Sequence, residues 1–355
     1  MRYEPGEETL QLLRTLSEAF GVAGFEDEVR TLIQERIEPY VDEMRVDALG
    51  NLIAYRRGRG ERVLMLDAHM DEIGFMVSYI EEGGFLRFAP LGGWDARIIP
   101  SHALTIKTSS GGFVKGAIGT PPPHILKPEE REKPFPLEEL FVDIGATSRE
   151  EVEKLGIRIG SPAVIAYPFE RLNEDVVMGK ALDDRVGCAV LIETLRALKD
   201  EELEVTVAAN FAVCEEVGLR GARTAAFQIE PDLALALEGT VAADVPGVPP
   251  TRQPTALGKG PALTVADRSL IPHPKLVEFL LGVARDEEIP CQLKVPPFGS
   301  TDAGAIQQTG KGAIAGVVSV PCRYIHSPFS LMRLEDFQHT VRLVVAFTRR
   351  CQELL

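Results

Sequence analysis

Apolar residues recur along this chain in two textures, one at helical spacing and one in short continuous runs. From Glu7 to about Tyr40 the spacing is helical. Leu10, Leu12, Leu13, Leu16 and Phe20 mark one face, Gly21 to Gly24 break it, and a second segment runs from Glu26 to Ile37. Val46 to Tyr55 reads as a turn, Asp47-Ala48-Leu49-Gly50-Asn51, entering a strand. Val63-Leu64-Met65-Leu66, Val205 to Val213, Leu233 to Leu237 and Ala313 to Val320 are predominantly apolar runs, the pattern of strands covered on both faces. Asp183 to Lys199, Pro274 to Glu287 and Leu334 to Leu354 return to helical periodicity. Pro274 stands near a helix start, where its missing N–H is harmless. Helices alternating with buried strands predict an α/β fold, an α/β/α sandwich.

After Asp71 the texture changes. Ile73 to Val77, Phe85 to Phe88, Ala103 to Lys107 and Phe113 to Ile118 are short strands set apart by Gly-Gly pairs at 83–84, 92–93 and 111–112. Phe141 to Gly145 and Ala163 to Ala166 resume the pattern after a Pro- and charge-rich loop from Thr120 to Pro136. This predicts a small β domain at residues 73–168, inserted into a larger domain made of residues 1–72 and 169–355. No internal repeat interrupts that division.

A length of 355 residues accommodates both domains, and 45% hydrophobic with 26% charged residues is a globular composition. No apolar run approaches the roughly 20 residues that cross a bilayer. The start, Met1-Arg2-Tyr3-Glu4-Pro5, lacks the pattern of a signal peptide, so a cytoplasmic location and no membrane partner are expected. The formal charge is −15 with no Lys/Arg stripe, which argues against a nucleic-acid partner. Five cysteines at irregular spacing without a C-x-x-C are expected to be free thiols.

Chemistry concentrates where the apolar runs stop. His69-x-Asp71 ends the first, Asp183-Asp184 opens a helix, and Glu215-Glu216 closes the central strand. Glu238-Gly239 ends the next strand and His326 follows the last. Open α/β sheets hold their ligands at the C-terminal edges of parallel strands. Each residue alone has a bland reading: a solvated acidic turn for Glu215-Glu216, a helix N-cap for Asp183-Asp184. Independent bland readings at five places on one sheet are hard to sustain together. Imidazole with carboxylate is a ligand set for zinc or cobalt, and two histidines with three carboxylates suffice for two ions if one carboxylate bridges. His102, His124, His273 and His339 lack acidic partners in the pattern and are read as structural.

The segments His69-Met70-Asp71-Glu72-Ile73-Gly74, Gly179-Lys180-Ala181-Leu182-Asp183-Asp184-Arg185, Glu215-Glu216-Val217-Gly218-Leu219-Arg220-Gly221-Ala222 and Ser300-Thr301-Asp302-Ala303 resemble the tetrahedral (TET) aminopeptidases of metallopeptidase family forty-two. Relatives there are called glutamyl aminopeptidase or endoglucanase. The resemblance covers nearly the whole chain in the same order. It implies a mixed central sheet of zinc-peptidase type and a PDZ-like insert that mediates dimerisation. It also implies two divalent ions per chain, zinc or cobalt, with manganese accepted by the same ligands. By position, Asp183 would bridge, His69 and Glu238 would complete one ion, and Glu216 and His326 the other. Glu215 would be general base and acid, and Asp71 would orient a ligand histidine. Peptides would be the substrates, and dimers would build a homododecamer. Glu238 departs from the Asp of many relatives, and Ser300 stands where Gly is expected. Ala266-Asp267-Arg268 and Val295 to Thr301 are candidates for the substrate wall. A deacylase or carboxypeptidase of the same superfamily, a glycosidase and a non-enzymatic scaffold are the rival readings.

Overall fold

Predominantly apolar strands need cover on both faces, and the computed structural model supplies it: the strand Thr206–Ala212, for one, is buried at every position. It describes residues 6–294 and 299–355, with Glu130 by its main chain alone. The Met1–Pro5 start and the Val295–Phe298 part of the expected substrate wall lie outside the described residues.

In chain order the strands are β1 Glu43–Val46, β2 Leu52–Arg56, β3 Val63–His69, β4 Gly74–Ile80, β5 Leu86–Leu91, β6 Ala103–Lys107, β7 Phe113–Gly119, β8 Phe141–Asp143 and β9 Pro162–Ile165. After them come β10 Glu170–Arg171, β11 Val176–Gly179, β12 Thr206–Ala212, β13 Leu233–Ala242, β14 Ala262–Thr264, β15 Gln292–Lys294, β16 Ile314–Arg323 and β17 Ser330–Arg333. Eleven of them form one mixed sheet in the order β1-β2-β12-β3-β13-β16-β17-β11-β10, with β14 on β16 and β15 on β14. Its centre, β12-β3-β13-β16, is parallel, and the strands that join it on either side, β2, β17 and β14, are antiparallel to it, with β15 parallel to β14. The chain enters this parallel centre at β3, continues to β12 on one side and then to β13 on the other, so a topological switch point lies at the C-terminal end of β3.

Alternation along these strands sorts side chains by size. Leu64, Leu66, Val207, Phe211, Leu233, Leu235 and Leu237 face a core built with helices Glu7–Glu18, Asp27–Ile37, Leu182–Leu198, Pro274–Asp286 and Leu334–Arg350. Met65, Ala208, Ala212, Ala234 and Ala236 face helices Arg220–Ile229 and Asp302–Gln307 through Ala222, Ala225, Ala303 and Ile306. Large residues on one face and small ones on the other let the second helix pair approach the sheet closely. Helices on both faces of a mixed sheet make the expected layered α/β architecture.

The remaining six strands close on themselves in the order β4-β5-β8-β7-β6-β9, every pair antiparallel. Phe75, Leu86, Leu104, Ile106, Ile118 and Val142 fill this barrel, and Phe75 stacks on Trp94 with ring centroids 4.8 Å apart. All six strands fall within residues 74–165. The five cysteines are free, Cys188, Cys322 and Cys351 buried and the other two half-buried. Among the described residues no helix is long and apolar enough to cross a membrane.

Two elements differ from the sequence reading. Glu238 does not end its strand: β13 continues to Ala242 because β16 pairs with it along its whole length, from Leu233↔Ile314 to Ala242↔Arg323. Pairing with β3, on the other side, stops at Ala236↔Asp67, so Glu238 lies just beyond the end of that ladder. The helix read from Asp183 is also irregular at its start. Asp183 (φ −87°, ψ 103°) and Asp184 (φ −125°, ψ 37°) are not helical and are joined by a cis peptide bond. The Asp184 carboxylate accepts the Gly187 N–H at 3.0 Å, so Asp184 caps the regular helix and frees Asp183 to face elsewhere.

Candidate metal centre

The parallel strands deliver the reactive residues to one place. His69 is the last residue of β3, and Glu215 and Glu216 follow β12 after Val213 and Cys214. The backbone amides of Glu215 and Glu216 donate to the two oxygens of Asp71, at 3.0 and 3.1 Å, which ties the end of β12 to the end of β3. Gly221 then brings helix Arg220–Ile229 against β12. A Cβ there would lie 2.3 Å from Asn51 Oδ1 and 2.4 Å from the Val213 carbonyl, so only glycine fits.

Seven expected site residues converge. His69 Nε2 lies 3.4 Å from Asp183 Oδ1, 3.7 Å from Glu238 Oε2 and 3.8 Å from Glu215 Oε2. His326 Nε2 lies 3.4 Å from Asp183 Oδ2 and 3.5 Å from Glu216 Oε1. Asp183 thus turns one oxygen to each histidine. Two donors about 2.1 Å from one tetrahedral ion stand about 3.4 Å apart, so these spacings fit shared coordination of divalent cations. The ligand atoms of His69, Asp183 and Glu238, and those of Asp183, Glu216 and His326, lie within 4.8 Å of one another. So do those of His69, Glu215 and Glu216, which leaves geometry alone open on whether Glu215 is a ligand.

The outward ring nitrogens are held from behind. His326 Nδ1 meets the Gly93 carbonyl at 2.9 Å, a contact from the β5–β6 segment of the barrel domain. His69 Nδ1 lies 3.0 Å from the main-chain oxygen of Asp71 and 3.5 Å from its carboxylate. Asp71 thus meets the His69 ring mainly through its backbone, while its carboxylate braces the Glu215-Glu216 turn. A backbone carbonyl or carboxylate on the far nitrogen fixes the tautomer that ligates through Nε2.

In the protein moiety alone the groups around Asp183 are shifted towards their protonated forms. Burial lifts the Glu216 carboxyl to about 8 and Glu215 to about 7, and holds Glu238 well above the usual carboxylate range. For His326, burial is outweighed by Asp183 and Glu216, which raise the imidazole to about 10. His69 is likewise raised, Glu215 and Asp183 outweighing burial. Asp183 is driven below its ordinary value, because hydrogen bonding to both histidines outweighs burial. Ligands must shed protons to bind a metal. Loading chelator-treated protein with zinc at pH 7 should therefore release more than one proton per chain, and affinity should fall as pH falls. Calorimetry in buffers of different ionisation enthalpy measures this; buffer-independent heats would refute it.

Several participants escaped the sequence reading. Asp184 was visible only as the neighbour of Asp183, yet it accepts the amides of His69 (3.1 Å), Gly187 (3.0 Å) and Gly239 (2.8 Å), joining three of the delivering segments. Arg185, fully buried, binds the carbonyls of Met70, Leu16 and Gly21 and shares Glu72 with Lys180. Beneath His69, Asp67 accepts from Asn210 at 2.5 Å and adjoins the buried carboxyl of Asp302. Of the six histidines, the described metal-capable groups draw only on His69 and His326; His273 instead caps its helix through the Lys275 amide.

A cavity of about 730 Å³ opens over the cluster. Of the candidates for the substrate wall, Arg268, Gly299, Ser300 and Thr301 line it while Ala266 and Asp267 do not, and Lys294 lines it without any forewarning in the sequence. A second hollow, about 950 Å³ between the Asp47–Leu49 turn and helix Arg220–Ile229, contains no such set of donors.

Comparison with known proteins adds an independent line. The family model described as M42 glutamyl aminopeptidase matches residues 50–343. A TET aminopeptidase from a marine sediment Thaumarchaeota archaeon has a structure with TM-score 0.95 and 42% identity, covering 98% of this chain and 97% of that one. The lysyl aminopeptidase of Pyrococcus furiosus is 36% identical over 346 residues, 95% of each chain. The TET1 peptidase of Pyrococcus horikoshii, described as assembling into a tetrahedron or a large octahedral shell, has TM-score 0.86 and 34% identity over 96% of this chain and 99% of that one.

Proposed function

The chain belongs to the M42 glutamyl aminopeptidase family and is a peptidase, and from that premise we propose that it removes N-terminal residues from peptides with a pair of divalent metal ions. The observation that carries the reading is Asp183, whose two oxygens each stand 3.4 Å from a different histidine. His69 and Glu238 would hold one ion, His326 and Glu216 the other, with Asp183 shared. Zinc or cobalt suits this donor set, and manganese is tolerated by it.

Cations held there would polarise the scissile carbonyl and make a water more acidic. Glu215, beside both groups but outside the shared pair, takes the proton of the attacking water and hands it to the departing amine. Asp71 keeps Glu215 in place by accepting its backbone N–H and keeps the His69 ring aligned. The carboxylates around the pair attract the free amine of the substrate. The inserted barrel serves as a PDZ-like dimerisation module, and dimers assemble into a dodecamer with the sites facing inward. A solution mass near the 38.8 kDa of one chain would sink that assembly.

The test is hydrolysis of aminoacyl p-nitroanilides, free and N-acetylated, with and without chelator. Cleavage of the free-amine forms alone, lost to chelator and restored by zinc or cobalt, is expected. Turnover of only the acetylated forms would instead assign a deacylase.

A further inference from the structure

Family membership leaves the preferred first residue open, since the family is described as glutamyl while a 36%-identical relative is a lysyl enzyme. The cavity carries a charge that bears on it. Lys294 ends β15, paired in register with Thr264 of β14, and is only 6% exposed. Its side chain nevertheless lines the cavity. Burying an ammonium group is costly unless a partner compensates it. Among the described residues Lys294 has no side-chain hydrogen bond or ion pair; Glu238, Asp267 and Asp183 attract it at longer range, against the effect of burial.

Those counter-charges are engaged elsewhere. Asp267 accepts from the amides of Ser269 and Leu270 (2.7 Å each) and from the Thr301 hydroxyl (3.0 Å), which stitches two segments of the cavity wall together. Glu238 and Asp183 belong to the metal centre. Four carboxylates line the cavity, Asp183, Glu215, Glu216 and Glu238, and two divalent cations would balance them. The remaining formal charge of the lining is that of Lys294 and the exposed Arg268 at its rim. A substrate whose amine sits among the acids thus presents its first side chain to a wall with a buried cation that has no partner among the described residues.

We propose that Lys294 is the specificity-determining residue of this cavity and selects peptides whose first residue is acidic, glutamate or aspartate. A side-chain carboxylate supplies a charge-assisted partner for the ammonium. Neutral side chains leave the ammonium buried and unpaired, and lysine or arginine adds repulsion. The proposal rests on the aminopeptidase reading above.

The experiment compares kcat/KM of the zinc- or cobalt-loaded enzyme for Glu-, Asp-, Leu- and Lys-p-nitroanilide. The wild type should favour Glu or Asp over Leu by at least tenfold and over Lys by more. Lys294→Met should cut the Glu-to-Leu ratio at least tenfold, Lys294→Arg should keep most of it, and Lys294→Glu should turn the preference towards Lys. Metal content is measured for each variant, so that damage to Glu238 is not mistaken for lost selectivity. Turnover without an acidic preference, or an equal fall of Lys294→Met on every substrate, would overturn the proposal while leaving the aminopeptidase intact. Silence of the loaded wild type on all four free-amine substrates would overturn both.

Discussion

Glu215→Gln should leave two metal ions bound and reduce turnover by about 10²–10⁴-fold, the range of a positioned general acid–base group. The substitution keeps volume and leaves the backbone N–H that anchors residue 215 on Asp71 untouched. What it removes is a carboxylate able to take a proton and return it. The outcome is informative because geometry leaves a rival: Glu215 Oε2 is 3.8 Å from His69 Nε2, scarcely farther than Glu238 Oε2 at 3.7 Å. If Glu215 were a ligand, Glu215→Gln would lose metal together with activity. Elemental analysis after gel filtration, beside kcat on a free-amine substrate, separates the cases. Two ions with a collapsed kcat supports the base; one ion makes Glu215 a ligand and moves the proton-handling role elsewhere.

Much of this arrangement was legible because buried parallel strands leave little freedom. A run such as Val63 to Leu66 marks a buried strand, and the polar residues that follow it lead to the sheet edge where ligands bind, although the first of them, Asp67, is still inside the strand and paired with Asn210. His69, Asp71, Glu215, Glu216 and His326 were all found by that rule. Glu238 was found for a partly wrong reason. Glu238-Gly239 looks like a strand terminator, but β13 runs on, and the glycine serves a close approach. A Cβ on Gly239 would lie 2.9 Å from the Leu182 carbonyl and 3.2 Å from the Asp183 Cα, and its N–H donates to Asp184. Such tertiary proximity leaves no trace in local pattern. Lys294 was invisible for the same reason: one lysine in a three-residue strand carries no periodicity, and its meaning comes from the cavity that distant segments build around it. Barrel closure was hidden too, since it depends on β4 pairing with β9 across nearly ninety residues, Phe75↔Ala163.

Asp183→Asn should cost more metal than any other single ligand change. His69→Ala or His326→Ala removes a donor from one group only, whereas Asp183 faces both, Oδ1 towards His69 and Oδ2 towards His326. Asparagine keeps the shape but offers one neutral carbonyl oxygen and an NH₂ that cannot ligate. One cation loses this ligand outright and the other loses its anionic character, at a place where two positive ions would otherwise repel each other across a short gap. Changing an outer partner of a metal site already costs about 10–100-fold in affinity or activity. A shared inner donor should exceed that, with fewer than one ion retained per chain and activity below about 1% of the wild type. Folding is not expected to confound the result, because the helix start is capped by Asp184, which the substitution does not touch. Circular dichroism of chelated wild type and variant checks this. If Asp183→Asn kept two ions at unchanged affinity, Asp183 would not be the bridge, and the two histidine groups would have to be treated as separate sites.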